Sequence, residues 1–146
     1  MSLYYIKRLL NKYILFNPTI LKNVSIGTNC FFNIGVIVDA GKNGEIVIGN
    51  NCLFGPYTVV RAANHKFDRL DIPIYQQGHD FGKIVIGDDC WFGSHVTVLT
   101  NVNIGNGCVI GANSVVTKDI PDYSIAVGCP AKIIKNRKEL KDSVVQ

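Results

Sequence analysis

Apolar residues recur at every sixth position along most of this chain, and repetition at a short fixed period decides the architecture before any other feature does. Stepping by six from Ile86 gives Phe92, Val98, Ile104, Ile110 and Val116. Glycine follows the apolar start at 87, 93, 105 and 111. The fifth place of each hexad holds Cys90, Val96, Val102, Cys108, Ser114 and Ile120, mostly small or β-branched. Upstream the rule runs through Ile48, Phe54 and Val60, with Gly49, Gly55, Cys52 and Thr58 at the linked places. It also runs through Ile20, Ile26, Phe32 and Val38, with Val24, Cys30 and Val36 in the fifth place. The step from Val38 to Ile48 is longer than one hexad, so a small bulged turn is expected between Gly41 and Glu45.

In physical terms each hexad is a short strand along one side of a triangular coil, and three hexads close the coil. Strands of successive coils stack about 4.8 Å apart and hydrogen-bond as parallel sheets. The apolar start points inward onto its counterpart three hexads on, as Ile86 onto Ile104. The fifth place lies near a corner, where only a small side chain fits. Glycine after the start suits a turn with unusual backbone angles. About 100 residues obey the rule, which predicts roughly six coils of an all-β parallel β-helix, a triangular solenoid. The chain reads as one domain spanning 1–146: a helical cap over 1–16, coils over 17–60 and 84–121, a protruding loop over 61–83, and a C-terminal segment over 122–146 with a short helix from Ala131.

With 47% hydrophobic and 18% charged residues the chain is neither disordered nor a charge-driven tail. Part of its net charge of +4 sits in Lys132, Lys135, Arg137, Lys138 and Lys141, which reads equally as a site for a phosphate-rich ligand or as a solvated tail. No stacking aromatics are interleaved with it, which argues against nucleic acid. No run of about 18 apolar residues is present to span a membrane. Leu3, Ile6, Leu9, Leu10 and Tyr13 fall at helical spacing, but Lys7, Arg8 and Lys12 interrupt what would be a signal-peptide core. The segment is expected to cap the domain rather than anchor it to a membrane surface, and the expected compartment is the cytoplasm. Cys30, Cys52, Cys90 and Cys108 all take the small fifth place and read as core filler, in keeping with a reducing compartment; Cys129 stands apart in the Gly128-Cys129-Pro130 turn.

The repeat breaks once at length, between Val60 and Ile84. So long a break inside a solenoid is where function is expected. His65 stands at its mouth, at an outward-facing sixth place. Histidine titrates nearest to working pH, so it suits a general base that takes a proton from an attacking hydroxyl.

Three stretches carry a family resemblance: Ile86-Gly-Asp-Asp-Cys-Trp91-Phe-Gly-Ser94-His95, Val109-Ile-Gly-Ala112-Asn-Ser-Val-Val-Thr117-Lys118-Asp-Ile-Pro121, and Val127-Gly-Cys-Pro-Ala-Lys132. With them the chain resembles the bacterial hexapeptide O-acetyltransferases over about 17–137. That group includes galactoside, maltose and nodulation acetyltransferases and those that decorate surface polysaccharides. The resemblance implies a left-handed coil, a homotrimer, acetyl-CoA as co-substrate with no metal, and His65 as the catalytic base. It further implies that Gly93, Ser94, Ala112, Thr117 and Lys118 line the pantetheine arm, that Lys132 and Lys135 meet the adenosine phosphates, and that Asn33, Asp39 and Trp91 lie on the acceptor side. Residues 66–83 look most like the polysaccharide-modifying branch, so the implied acceptor is a hydroxyl of a surface-glycan precursor.

Three other readings stand beside it. N-acetylation of an amino sugar would use the same fold and co-substrate. A γ-type carbonic anhydrase would need three histidines around zinc. Yet the steps from His65 to His79 and from His79 to His95 both fall short of the three hexads that stack side chains on one face. A non-catalytic scaffold would have no need of His65 or the CoA-like tail.

Overall fold

The computed structural model describes residues 18–143, with side chains to Leu140; the helical cap expected over 1–16 lies outside the described residues. The chain enters on β1 (Thr19–Ile20), then winds coils of three strands each. The first is β2 (Val24–Ile26), β3 (Phe31–Phe32) and β4 (Ile37–Asp39); the second is β5 (Glu45–Ile48), β6 (Leu53–Phe54) and β7 (Val59–Arg61). A hairpin, β8 (Ala63–His65) and β9 (His79–Phe81), interrupts the winding. Coils resume with β10 (Lys83–Ile86), β11 (Trp91–Phe92) and β12 (Thr97–Val98), followed by β13 (Asn103–Ile104), β14 (Val109–Ile110) and β15 (Val115–Val116). A bridge at Ile120 and strand β16 (Ser124–Val127) begin a last turn.

Stacking makes three parallel sheets, the faces of a triangular prism: β1-β4-β7-β12-β15, β2-β5-β10-β13 and β3-β6-β11-β14-β16. These are called the first, second and third faces below. Ile86 lies beside Ile104, three hexads on. Ile26 lies beside Ile48, and Ile48 beside Ile86, although both of these steps are longer than three hexads. The surplus is the bulged turn in the first case and the hairpin insertion in the second, each extruded at a corner so that the stacking register survives. Because they consume chain, the prism has four complete coils and a partial turn at each end, fewer than the six expected from length alone.

The inward stacks form as the repeat predicts. Phe32, Phe54 and Phe92 lie ring on ring with centroids 4.7 Å apart, and Val38, Val60, Val98 and Val116 are wholly buried. Each large side chain so buried contributes roughly 2 kcal/mol by transfer from water. The four core cysteines stack at one corner, where each thiol points at a backbone carbonyl, Cys52 at Gly87 O (3.2 Å) and Cys108 at Pro121 O (3.1 Å). A carbonyl can only accept, so in each contact the thiol is the donor. Contact with neighbouring thiols of the stack, and then burial, push Cys52 and Cys108 above the usual thiol range. Cys129 is exposed.

Two expectations need correction. The glycines after the apolar starts do not carry the special backbone angles. Those fall two places later, on Asn29, Asn51, Asp89, His95, Asn101 and Asn113, all with φ between 56° and 60°. The glycines serve close approach instead: a Cβ on Gly49 would come within 2.7 Å of the carbonyl carbon of Gly87 in the next coil. The segment after Ala131 is also not simply helical. It forms β17 (Lys132–Asn136), antiparallel to β16, and then a 3-10 turn over Arg137–Ser143. Arg137 closes that end, with Nη1 donating to Gly107 O (2.7 Å).

Candidate active site

The hairpin leaves the prism at the corner between the first and second faces. Ala62 still donates to Asp39 O as a coil residue would, and Gly82 donates back to Ala62 O, both at 3.0 Å, so the insertion closes on itself at its root. From there Ala63 pairs with Phe81, Asn64 with Asp80, and His65 with His79. The Lys66 amide donates to Gly78 O at 3.1 Å and Lys66 Nζ lies 3.4 Å from Asp80, which ties the two strands beyond the histidines. The tip contains a 3-10 turn at Ile74–Gln76. It is held by Gln77, whose side chain accepts from the Arg69 amide and donates to Arg69 O and Ile72 O.

His65 is therefore presented to solvent on an ordered hairpin rather than on an irregular loop. Its ring lies 4.0 Å from that of His79, centroid to centroid, tilted by 38°. Below it, Arg61 forms an ion pair with the buried carboxylate of Asp39 and donates from Nε to Ala63 O at 3.2 Å. Asp39 also accepts from the Gly41 amide at 2.8 Å. One arginine thus ties the root of the hairpin to the preceding coil. A shallow cavity of about 270 Å³, lined by Lys66, Phe67, Asp68 and Asp80, opens beside the hairpin.

Apart from Trp91, Lys132 and Lys135, the residues singled out in the sequence divide between two corners. Asp39, on β4, shares the hairpin's corner with Thr117 and Lys118, which follow β15 at the same corner two coils beyond β7. At about 4.8 Å per coil that is a climb of roughly 10 Å. Gly93, Ser94 and Ala112 meet at the corner between the third and first faces, where a Cβ on Gly93 would stand 2.6 Å from Ala112 N. Asn33 takes the equivalent place two coils earlier, its amide donating to Phe54 O and its Oδ1 accepting from the Ile34 amide. Trp91 is half exposed on the outside of the third face, between Leu53 and Val109, and not packed into a corner. Lys132 and Lys135 are exposed on β17, at the end of that face. Within one chain, then, Asn33, Trp91 and the Gly93 corner lie across the first face from His65.

His95 stacks on Tyr57 (5.2 Å) at the Gly93 corner and does not join the other two histidines. Among the described residues no group of three His, Cys, Asp or Glu side chains converges as a metal site would need, and no helix is long and apolar enough to cross a membrane. Sequence reasoning does not single out Arg61 and His79 as site residues. The signal for His79 there is the matching order Ala63-Asn64-His65 and His79-Asp80-Phe81, which pairs apolar with apolar and imidazole with imidazole; Arg61 has none.

Residues 83–118 match the family model "bacterial transferase hexapeptide (six repeats)". A hexapeptide-repeat containing acetyltransferase from Vibrio cholerae, solved with acetyl coenzyme A, is 30% identical, covers 93% of this chain and 79% of its own, and superposes with a TM-score of 0.76. A maltose O-acetyltransferase from Clostridium difficile is 32% identical over 91% of this chain and 73% of its own, with a TM-score of 0.77. A putative acetyltransferase of Staphylococcus aureus is 42% identical over 120 residues, 82% of this chain and 55% of its own. The chain belongs to the hexapeptide-repeat acetyltransferase family, and its coil is the left-handed β-helix of that family. It spans 31% to 55% of the length of the first curated relatives it matches.

Proposed function

We propose that this chain is an acetyl-CoA-dependent O-acetyltransferase acting on a sugar hydroxyl, with His65 as general base. The observation that carries the reading is the placement of His65, projected from the one corner where the prism is opened by a long insertion, in line with Thr117 and Lys118 of the last complete coil. The relatives solved with acetyl-CoA and acting on maltose support the co-substrate and the acceptor class.

In the reaction the acceptor oxygen attacks the thioester carbonyl carbon while His65 takes the hydroxyl proton. The tetrahedral oxyanion collapses, the C–S bond breaks, and the imidazolium returns its proton to the leaving CoA sulfur. The products are the acetyl ester and free CoA, with His65 neutral again. Thr117 and Lys118, with Gly93, Ser94 and Ala112, line the pantetheine arm, while Lys132 and Lys135 meet the adenosine phosphates. Lysine suits phosphate as a mobile point charge.

The two corners that carry these residues favour a homotrimer. In a closed threefold ring the Gly93 corner of one copy, with Asn33 and Trp91, would face the His65 corner of the next. The half-exposed Leu53, Trp91 and Ile37 give such a ring apolar area to cover. The acceptor in this reading is a glycan precursor in the cytoplasm, which the resemblance of residues 66–83 to the polysaccharide-modifying enzymes favours, and the exposed tip of the hairpin is available to contact it. The test is a screen of CoA release from acetyl-CoA against free, nucleotide-linked and lipid-linked sugars. Acetyl ester formation that vanishes in His65→Ala supports the reading, whereas a wild-type rate in that variant ends it. Sedimentation giving a monomer at micromolar concentration would remove the trimer.

A further inference from the structure

We propose that His79 is a positioning residue for His65, holding the imidazole of the base in one orientation through a stack that runs back to the prism. This rests on the reading of His65 as the base. An exposed histidine has two free side-chain torsions, and a base must meet the acceptor proton at about 2.6–3.2 Å, so an unrestrained ring would spend most of its time misaligned. Here the restraint has a visible path.

His79 is directly opposite His65 in the antiparallel pair, where side chains on the same face of a hairpin lie closest. The His65 and His79 rings are 4.0 Å apart, and on its other side His79 stands 5.9 Å from Phe81, with those two rings within 27° of parallel. Phe81 in turn is partly buried against the prism: a Cβ on Gly41 would come within 2.9 Å of Phe81 Cε1 and 2.8 Å of Ala63 Cβ. The stack therefore reads His65, His79, Phe81, then the bare backbone of Gly41 in the bulged turn. Both ends of the paired segment are clamped, by the Lys66 amide on Gly78 O and by the Gly82 amide on Ala62 O. A His79 that merely stabilised the hairpin would not need its ring against the base. The bulged turn, the only other interruption of the coil between β2 and β15, thereby gains a role as the footing of the stack.

The test uses the full chain and three variants: His79→Ala, His79→Phe, which keeps a flat ring, and His65→Ala for assignment. The first readout needs no acceptor. In side-chain NMR of the histidine-labelled protein, the His65 ring signals should move toward those of a freely rotating histidine in His79→Ala and return toward wild type in His79→Phe. The second is CoA release with maltose as acceptor probe. His79→Ala should lose kcat by about 10- to 100-fold, with KM for acetyl-CoA within about twofold of wild type, and His79→Phe should recover most of the loss. Melting temperatures within a few degrees of wild type separate these effects from hairpin unfolding. Unchanged His65 signals in His79→Ala overturn the proposal, as does a loss of kcat that a phenylalanine does not recover. Full activity in His65→Ala would instead remove the base assignment, and the NMR result would still decide whether His79 orients that ring.

Discussion

The coils and the hairpin are built on opposite rules. In the coils each inward side chain stacks on its counterpart in the next coil, and Phe32, Phe54 and Phe92 have no exposure beyond 1%. At the hairpin's tip the large apolar side chains point out: Leu70 is 99% exposed, Tyr75 75% and Phe67 72%. The coil side chains are held by stacking with a period, the hairpin by a few local devices, namely one strand pair, the Lys66–Asp80 ion pair and the three bonds of Gln77. A perfectly periodic surface offers the same chemistry at every rung. Placing a single reactive group requires that the period be broken, and the break costs little because both ends of the insertion meet at Ala62 and Gly82, leaving Ile48 and Ile86 in register.

Substitutions that separate stability from activity test the contrast most sharply. The largest effect is expected from His65→Ala, a fall in acetyl transfer of about 10² to 10⁴-fold with no shift in melting temperature, read by CoA release. Phe54→Ala removes the middle ring of the aromatic stack and should cost about 3–5 kcal/mol in urea unfolding, with activity surviving in the fraction that stays folded. Gly49→Ala puts a Cβ against the backbone of Gly87 and should destabilise by about 1–3 kcal/mol, even though Gly49 has no unusual φ; a neutral result would sink the close-approach account. Asp39→Asn weakens the hold on Arg61, whose side chain is itself nearly half exposed, and should cost about 1 kcal/mol or less in stability while lowering kcat more than it raises KM for acetyl-CoA. The smallest effect belongs to Arg69→Ala at the tip. Its pair with Asp71 holds that carboxyl below the ordinary range, but both groups stand in water, so calorimetry should detect no change in melting temperature.

The prism is legible in the chain because six-residue periodicity is a local code. Ile86, Phe92 and Val98 announce three sides of a coil without reference to anything distant, and the surplus after Val38 announces the bulged turn. The role of the glycines is not legible, for a physical cause. Sequence displays the absence of a Cβ but not which atoms would have met it, and at Gly49 those atoms belong to Gly87 and Asp88, on the far side of the whole hairpin insertion. The C-terminal strand is hidden for a similar reason: Lys132–Asn136 has no period of its own and becomes a strand only by pairing with β16.

His65 can be found from sequence because the interruption of a regular pattern marks it. Its surroundings cannot. The stack of His65 on His79, the reach of Arg61 to Ala63 O, and the division of Asn33 and Trp91 from His65 across the first face depend on how the insertion folds, which the six-residue period does not encode. The amino-acid sequence by itself determined a three-sided solenoid with one opened corner, since short-range steric and hydrophobic repetition suffices to specify a coil. Only the tertiary structure decided which side chains meet at that corner, because an insertion escapes the repeat and finds its contacts through space.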